Sequence, residues 1–581
     1  MTKVTSTRCF AFASLILGAS LAFAAPASGA NDLRKVSREL RHLPRRQRVD
    51  VIVQYRMQPS RAQVKRVLVS GGSLRKQLNV IHGAAFTATA GSLAALAQDP
   101  NVTHISLDRP IRATSVSTDF YDQAVLAPYA WSANLNGSGI GVAVIDSGIN
   151  GGRDFALSNG TGSRIIYSRN FVSGQTSVSD SYGHGTHVAG ILAGSGLNSR
   201  GTGFRKTFMG IAGNVNLINL RVLDQNGSGK DSSVIAAIQA AISLKSKYNI
   251  RVINLSLGRP VFESYKLDPL CLAVESAWKA GIVVVVAAGN EGRNNSHDTD
   301  GYGTISAPGN DPYAITVGAM KLMATTTRAD DLIASYSSKG PTLVDHIVKP
   351  DIVAPGNSVI SVLASSTATL AKANSQNIVA LSSYSTNTKG TPAYFTMSGT
   401  SMATPVVSGA VALLLQRNAR LTPDQVKARL MKTAYKTFPR FSTATDPSTG
   451  KTYTSQYDIF TVGAGYLDIQ AALTNVDLAP ATLGVAKSPV VARDKSGNVY
   501  LVTGSSVLWG GSVTWGTSVV WGTSVLWGAN TKGESVLWGS SVCWGSSDDN
   551  DGYSVLWGTS GWGESGQSNT ESIAIAIEGE K

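Results

Sequence analysis

Gly141-Val142-Ala143-Val144-Ile145-Asp146-Ser147-Gly148-Ile149 is an apolar run that ends in a carboxylate. Small and β-branched residues with no polar alternation suit a strand buried on both faces, as in a parallel sheet between helices. Asp146 then stands at the strand's C-terminal tip, the edge at which open α/β sheets gather their reacting groups. Two later stretches carry the chemistry that such a tip would serve. Gly183-His184-Gly185-Thr186-His187-Val188-Ala189-Gly190 places an imidazole at the start of a small-residue helix. Gly399-Thr400-Ser401-Met402-Ala403-Thr404-Pro405 places a hydroxyl at the entry to a helix through Val406–Leu415. Attack of a hydroxyl on a carbonyl needs a base for its proton, an acid to hold that base's tautomer, and donors aimed at the oxyanion.

The order Asp, His, Ser and the flanking residues resemble the subtilisin-like serine proteases, the subtilases. The likeness runs from about Ala133 to Leu473. It includes Val252-Ile253-Asn254-Leu255-Ser256-Leu257-Gly258, Val286-Ala287-Ala288-Gly289-Asn290-Glu291-Gly292 and Tyr336-Ser337-Ser338-Lys339-Gly340-Pro341. Lys349-Pro350-Asp351-Ile352-Val353-Ala354-Pro355-Gly356 and Gly463-Ala464-Gly465-Tyr466-Leu467-Asp468 complete it. The resemblance implies an α/β fold, a parallel sheet with helices on both faces. It implies Ser401 as nucleophile, His184 as general base and then acid, and Asp146 as the group that orients the imidazole. The Asn290 amide and the Ser401 backbone N–H would form the oxyanion hole. Polypeptides would be the substrates, and no cofactor is needed for the chemistry. Many subtilases bind calcium, but no pattern in this sequence secures a calcium site.

The same likeness places an extended peptide between Gly227-Ser228-Gly229 and Ser256-Leu257-Gly258, as an added strand read mainly through its backbone. Ile305-Ser306-Ala307-Pro308-Gly309 would floor the primary specificity pocket, with Ser306 and no buried carboxylate. An uncharged floor favours apolar residues before the cut bond. His187, three residues along the helix from His184, is expected to pack or hydrogen-bond, and Asp154 and Asp180 read as loop acids. Leu197–Thr207 and the Ser/Thr/Asn-rich stretch Ser358–Thr391 exceed compact members of the family and are expected as surface loops, either of which could reshape the cleft.

Charge and composition bound the rest. The chain has 581 residues, 43% hydrophobic and only 15% charged against a usual ~25%. That excludes a wholly disordered polyelectrolyte. The net charge of +14 invites a nucleic-acid partner until it is located. Residues 1–30 contribute +2, residues 31–115 contribute +10, and residues 116–581 only +2. The expectation is therefore no nucleic-acid partner.

Residues 1–30 read as a secretory signal, with Lys3 and Arg8 before an apolar run to Phe23 and small residues Ser28-Gly29-Ala30 at the end. The run is shorter than the ~20 residues of a spanning helix. Secretion, with or without retention at the cell surface, is expected, and no integral span. Past the signal only Cys271 and Cys543 remain, so there is no disulfide framework. Cys271 is expected as a buried helix thiol. Residues 31–115 resemble the subtilase propeptide, an intramolecular inhibitor and folding aid, with strands near 49–53, 84–90 and 102–107 and helices near 61–69 and 91–98. Self-cleavage would fall within Arg112–Phe120.

Residues 116–475 are then the catalytic domain, 476–504 a polar linker, and 505–581 a repeat tail. Ser506-Val507-Leu508-Trp509-Gly510 recurs, and Trp509, Trp515, Trp521 and Trp527 step by six. Six is a multiple of the strand period, so an extended chain places these rings on one face. A small β-structure with packed rings, a tail removed on maturation, and a surface that stacks on a polymer all fit. Asp548-Asp549-Asn550-Asp551 reads as a solvated loop. Truncation after residue 500 is expected to leave hydrolysis intact. The alternative from another class is a surface-binding or scaffold protein with a vestigial triad.

Overall fold

The structure is a computed structural model that describes residues 33–37, 40–41, 43–78, 82–108, 120–157, 159–295, 299–387, 389–446, 449–493, 499–501 and 580. The signal, nearly all of the expected self-cleavage stretch, Cys543, the Asp548–Asp551 cluster and the tryptophan repeat lie outside the described residues. The chain divides into two compact units, Met1–Ser115 and Val116–Lys581.

The first unit has strands Arg48–Tyr55, Ser73–Leu78, Gly83–Thr89 and Val102–Leu107, with helices Arg61–Val69 and Leu93–Ala97. All pairings are antiparallel, with Gly83–Thr89 and Arg48–Tyr55 at the centre and Val102–Leu107 and Ser73–Leu78 at the edges. This is the β-α-β-β-α-β arrangement. Val49, Val51, Val53 and Tyr55 alternate inward and meet Val67, Phe86, Leu93 and Ile105 in one core. The Arg61–Val69 helix starts with a capping box, in which Ser60 and Gln63 satisfy each other's backbone N–H.

In the second unit the strands run in the order Leu332–Ile333, Ile315–Lys321, Val283–Ala287, Ile250–Leu255, Gly141–Asp146, Asn216–Arg221, Ile165–Asn170. Ile352–Pro355 also pairs with Ile315–Lys321. The sheet is mixed and mostly parallel, where a parallel sheet is expected. The exception is the two-residue Leu332–Ile333, which returns antiparallel at the edge. Gly141–Asp146 is buried at every position, as a central strand covered on both faces must be. Helices His184–Ala193 and Thr400–Arg417 pack on one another, as do Asp231–Tyr248 and Pro269–Lys279. Asn249 ends the third of these in the left-handed conformation (φ 47°), a C-terminal stop that Asn tolerates.

Two expectations outside the sheet need revision. The linker begins as packed chain: Ala479, Ala486, Ser488 and Val491 are buried. Ser488 closes a polar core in which Asp351 meets Lys349 Nζ at 2.7 Å and Lys427 Nζ at 3.1 Å. Leu197–Thr207 is a largely exposed loop, as expected, but Ser358–Thr391 holds the strand Val359–Val362 and the short helices Thr369–Ala373 and Leu381–Tyr384, and the two segments pack together. Phe204 and Ser385 form a β-bridge, and the Phe204 ring stacks on Tyr384, which is fully buried. Their polar composition hides a few aromatic anchors that decide the burial. Cys271 is a buried free thiol on the Pro269–Lys279 helix. Among the described residues no helix is long and apolar enough to cross a membrane.

Candidate active site

The tip of the Gly141–Asp146 strand and the start of the His184–Ala193 helix meet because Gly185 has no side chain. A Cβ there would stand 2.3 Å from Gly148 O and 3.1 Å from the Asp146 side chain. His184 Nδ1 lies 2.8 Å from Asp146 Oδ1, which also accepts from Ser147 N at 2.7 Å. Burial alone would lower the His184 pKa, but the Asp146 charge and hydrogen bond, with Asp180, raise it above its ordinary 6.5.

Asp180 is more than a loop acid. It is buried, with Oδ1 accepting from Ser147 Oγ (2.8 Å) and Gly183 N (2.7 Å) and Oδ2 from Thr186 N (2.8 Å). It thus satisfies amides at the start of the His184 helix and ties them to the residue after Asp146. Asp154 is likewise buried, accepting from Tyr394 OH at 2.8 Å and Asn198 N at 3.0 Å. His187 is buried, with Nε2 3.0 Å from Phe395 O, and burial pushes its pKa down to about 3.

Ser401 sits in the first turn of Thr400–Arg417. Pro405 has no N–H, so the Ser401 carbonyl loses its helical donor. Ser256 Oγ takes that place at 2.8 Å, while Ser401 Oγ donates to Ser256 O at 3.1 Å. Asn254 Nδ2 donates to Ser256 Oγ (3.0 Å), and Ser408 Oγ donates to Asn254 Oδ1 (2.8 Å). A polar ladder inside the core therefore fixes the hydroxyl-bearing turn against the Ile250–Leu255 strand. Asn290 is fixed in the same manner: its Oδ1 accepts from Thr400 N (2.9 Å) and Thr400 Oγ1 (3.0 Å). Thr400 was legible only as part of its motif, not as the group that aims the amide.

One cleft of about 450 Å³ is lined by His184, Asn290 and Ser401 together with Gly227, Gly229, Ser256, Leu257 and Gly258. That is the size of a ligand site. Ser228 is exposed and does not line it. Ser306 does not line it either; it stands behind Gly258 and Gly289, where a Cβ would meet Ser306 Oγ at 2.8 Å in both cases.

Three lining features escaped the sequence. Tyr182 packs against Gly227, whose Cβ would fall 2.5 Å from the ring. Leu370, from the long Ser/Thr/Asn-rich segment, enters the wall beside it. Its N donates to Tyr182 O at 3.0 Å, Thr369 N donates to Ser181 O at 3.0 Å, and Thr369 Oγ1 to Gln225 O at 2.7 Å. Arg259 bridges Asp231 (2.8 Å) and Asp268 (2.8 Å), so with Lys230 and Asp231 it brings charge into a cleft whose apolar wall includes Leu223, Val234, Leu270 and Met397. Among the described residues no three His, Cys, Asp or Glu side chains converge as a metal cage.

A family model described as the Subtilase family matches residues 137–465. This chain belongs to the subtilase family. It is a serine endopeptidase, a hydrolase acting on polypeptides. Among its relatives, Serine protease AprX of Bacillus subtilis (strain 168) is 37% identical over 372 residues, 61% of this chain and 75% of the relative. Subtilisin E of the same organism is 34% identical over 366 residues, 63% of this chain and 78% of the relative. Subtilisin DY of Bacillus licheniformis is 32% identical over 336 residues, 58% of this chain and 91% of the relative. The part of this subtilase matched by the family model holds Asp146, His184, Asn290 and Ser401.

Proposed function

We propose that this subtilase cleaves peptide bonds through an acyl-enzyme formed on Ser401, with His184 as base and Asp146 as its orienting acid. The observation that carries the reading is the 2.8 Å contact of His184 Nδ1 with Asp146 Oδ1 at a cleft that Ser401 and Asn290 also line. The Ser401 hydroxyl turns from Ser256 O toward His184 Nε2, gives up its proton there, and forms the bond to the carbonyl carbon. The oxyanion is taken by Asn290 Nδ2 and by Ser401 N, one of the helix amides that no intrahelical carbonyl accepts. His184 returns the proton to the leaving amine, and water repeats the sequence in reverse.

Asn290→Ala tests the oxyanion assignment. Turnover should fall about 10²–10³-fold with KM little changed, the effect known for this donor in subtilisin. An unchanged turnover number would contradict it.

The substrate is read as an added strand between the Gly227–Gly229 and Ser256–Gly258 edges, with apolar side chains preferred before the cut bond. The apolar walls support this preference. Leu370 narrows the wall beside His184, so Leu370→Ala should raise kcat/KM for bulky over small side chains at one flanking position about tenfold or more. Cleavage profiling on a peptide library checks it; an unchanged profile means that Leu370 does not touch substrate.

Residues 31–115 serve as propeptide, a role supported by a separate core and by the concentration of +10 charge there. The apolar run near the N-terminus supports export. N-terminal sequencing of the mature enzyme tests both.

A further inference from the structure

Glu580 follows the tryptophan repeat in sequence, yet it is only 7% exposed. Its Oε2 accepts from Ser335 N (2.7 Å), Ser335 Oγ (2.6 Å) and Arg293 Nη2 (3.4 Å), and its Oε1 lies 3.8 Å from Lys321 Nζ. Asn357 reads its backbone from both sides: Nδ2 donates to Glu580 O (2.8 Å) and Oδ1 accepts from Glu580 N (2.7 Å). Two cations and two neutral donors on one carboxylate, with an amide paired to the main chain, make a site shaped for an acidic residue. Arg293 is further held by Asp446 at 3.1 Å, so this wall exists apart from Glu580.

The pocket adjoins the catalytic scaffold on two sides. Arg293 comes three residues after Asn290, and the intervening Gly292 N donates to Tyr336 O (2.8 Å), next to Ser335. Asn357 follows Gly356, whose carbonyl accepts from Gly399 N (2.8 Å), two residues before Ser401. We propose that Arg293, Lys321, Ser335 and Asn357 form a receptor site for a glutamate side chain from the segment beyond the repeat, filled by Glu580. Its occupation braces the Asn290 and Ser401 turns against each other. The repeat is then bounded on both sides by residues seated on the catalytic unit, Val491 before it and Glu580 after it. That changes the expectation for truncation after residue 500: the shortened chain leaves Arg293 and Lys321 without this buried carboxylate and loses stability.

The test is thermal unfolding of the full chain in a Ser401→Ala background, which removes autolysis and reads stability independently of hydrolysis. Glu580→Gln should lower Tm by about 5 °C, and Ser335→Ala by a similar amount. The double variant should lie within about 1 °C of the lower single variant, because both remove one interaction. Glu578→Gln should stay within about 1 °C of the parent. A silent Glu580→Gln, additive losses for Glu580 and Ser335, or a larger effect at Glu578 would each overturn the proposal.

Discussion

Ser401→Ala lowers turnover of a chromogenic peptide by about 10⁶-fold, the size known for loss of the nucleophile in subtilisin. The cleft offers no substitute. Ser256, the other serine on its wall, has its Oγ donating to Ser401 O and accepting from Asn254. The loss falls on kcat and not on KM, because Gly227, Gly229, Leu257 and Gly258 remain to hold the peptide. Activity stays above the uncatalysed rate because the Asn290 donor and the binding edges survive. Steady-state kinetics with a matched Tm separates this from misfolding. A fall of tenfold or less at unchanged Tm would mean that the nucleophile is elsewhere.

Asp146→Asn costs about 10⁴-fold in kcat with the fold intact. The carboxylate oxygen that faces His184 Nδ1 accepts, and so keeps the imidazole proton on Nδ1 and leaves Nε2 free as base. An amide can present its NH₂ instead, which favours the opposite tautomer. The pH profile carries a second signature. The base works neutral, so kcat/KM falls as pH drops through the His184 pKa. That pKa is raised above 6.5 chiefly by the Asp146 charge working against burial. Without the charge, burial dominates, and the acid limb of the variant moves to lower pH. An acid limb at the wild-type position would contradict the assigned electrostatics.

The segments that carry the candidate site were legible because the chemistry they suggest is local. A buried strand must end somewhere, and Asp146 marks its tip; Gly185 and Pro405 stand in the motifs that their close contacts require. What the sequence concealed depends on distant partners. Asp180 and Asp154 look like loop acids until their donors Ser147, Asn198 and Tyr394 converge from other segments. Leu370 lies in a stretch that reads as able to reshape the cleft, but with no periodicity there nothing singles out this residue. The edge strand Ser73–Leu78 is almost wholly exposed and pairs through its backbone, leaving no apolar pattern to find. Glu580 was hidden because its four partners are more than 200 residues away in sequence.

The most direct measurement is labelling of the mature enzyme with a fluorophosphonate, followed by mass mapping of the adduct and a parallel assay of casein cleavage. The account predicts one adduct, on Ser401, whose stoichiometry tracks loss of casein cleavage and which is absent from Ser401→Ala. An adduct on another residue, or casein cleavage that persists in a fully labelled enzyme or in Ser401→Ala, would contradict it.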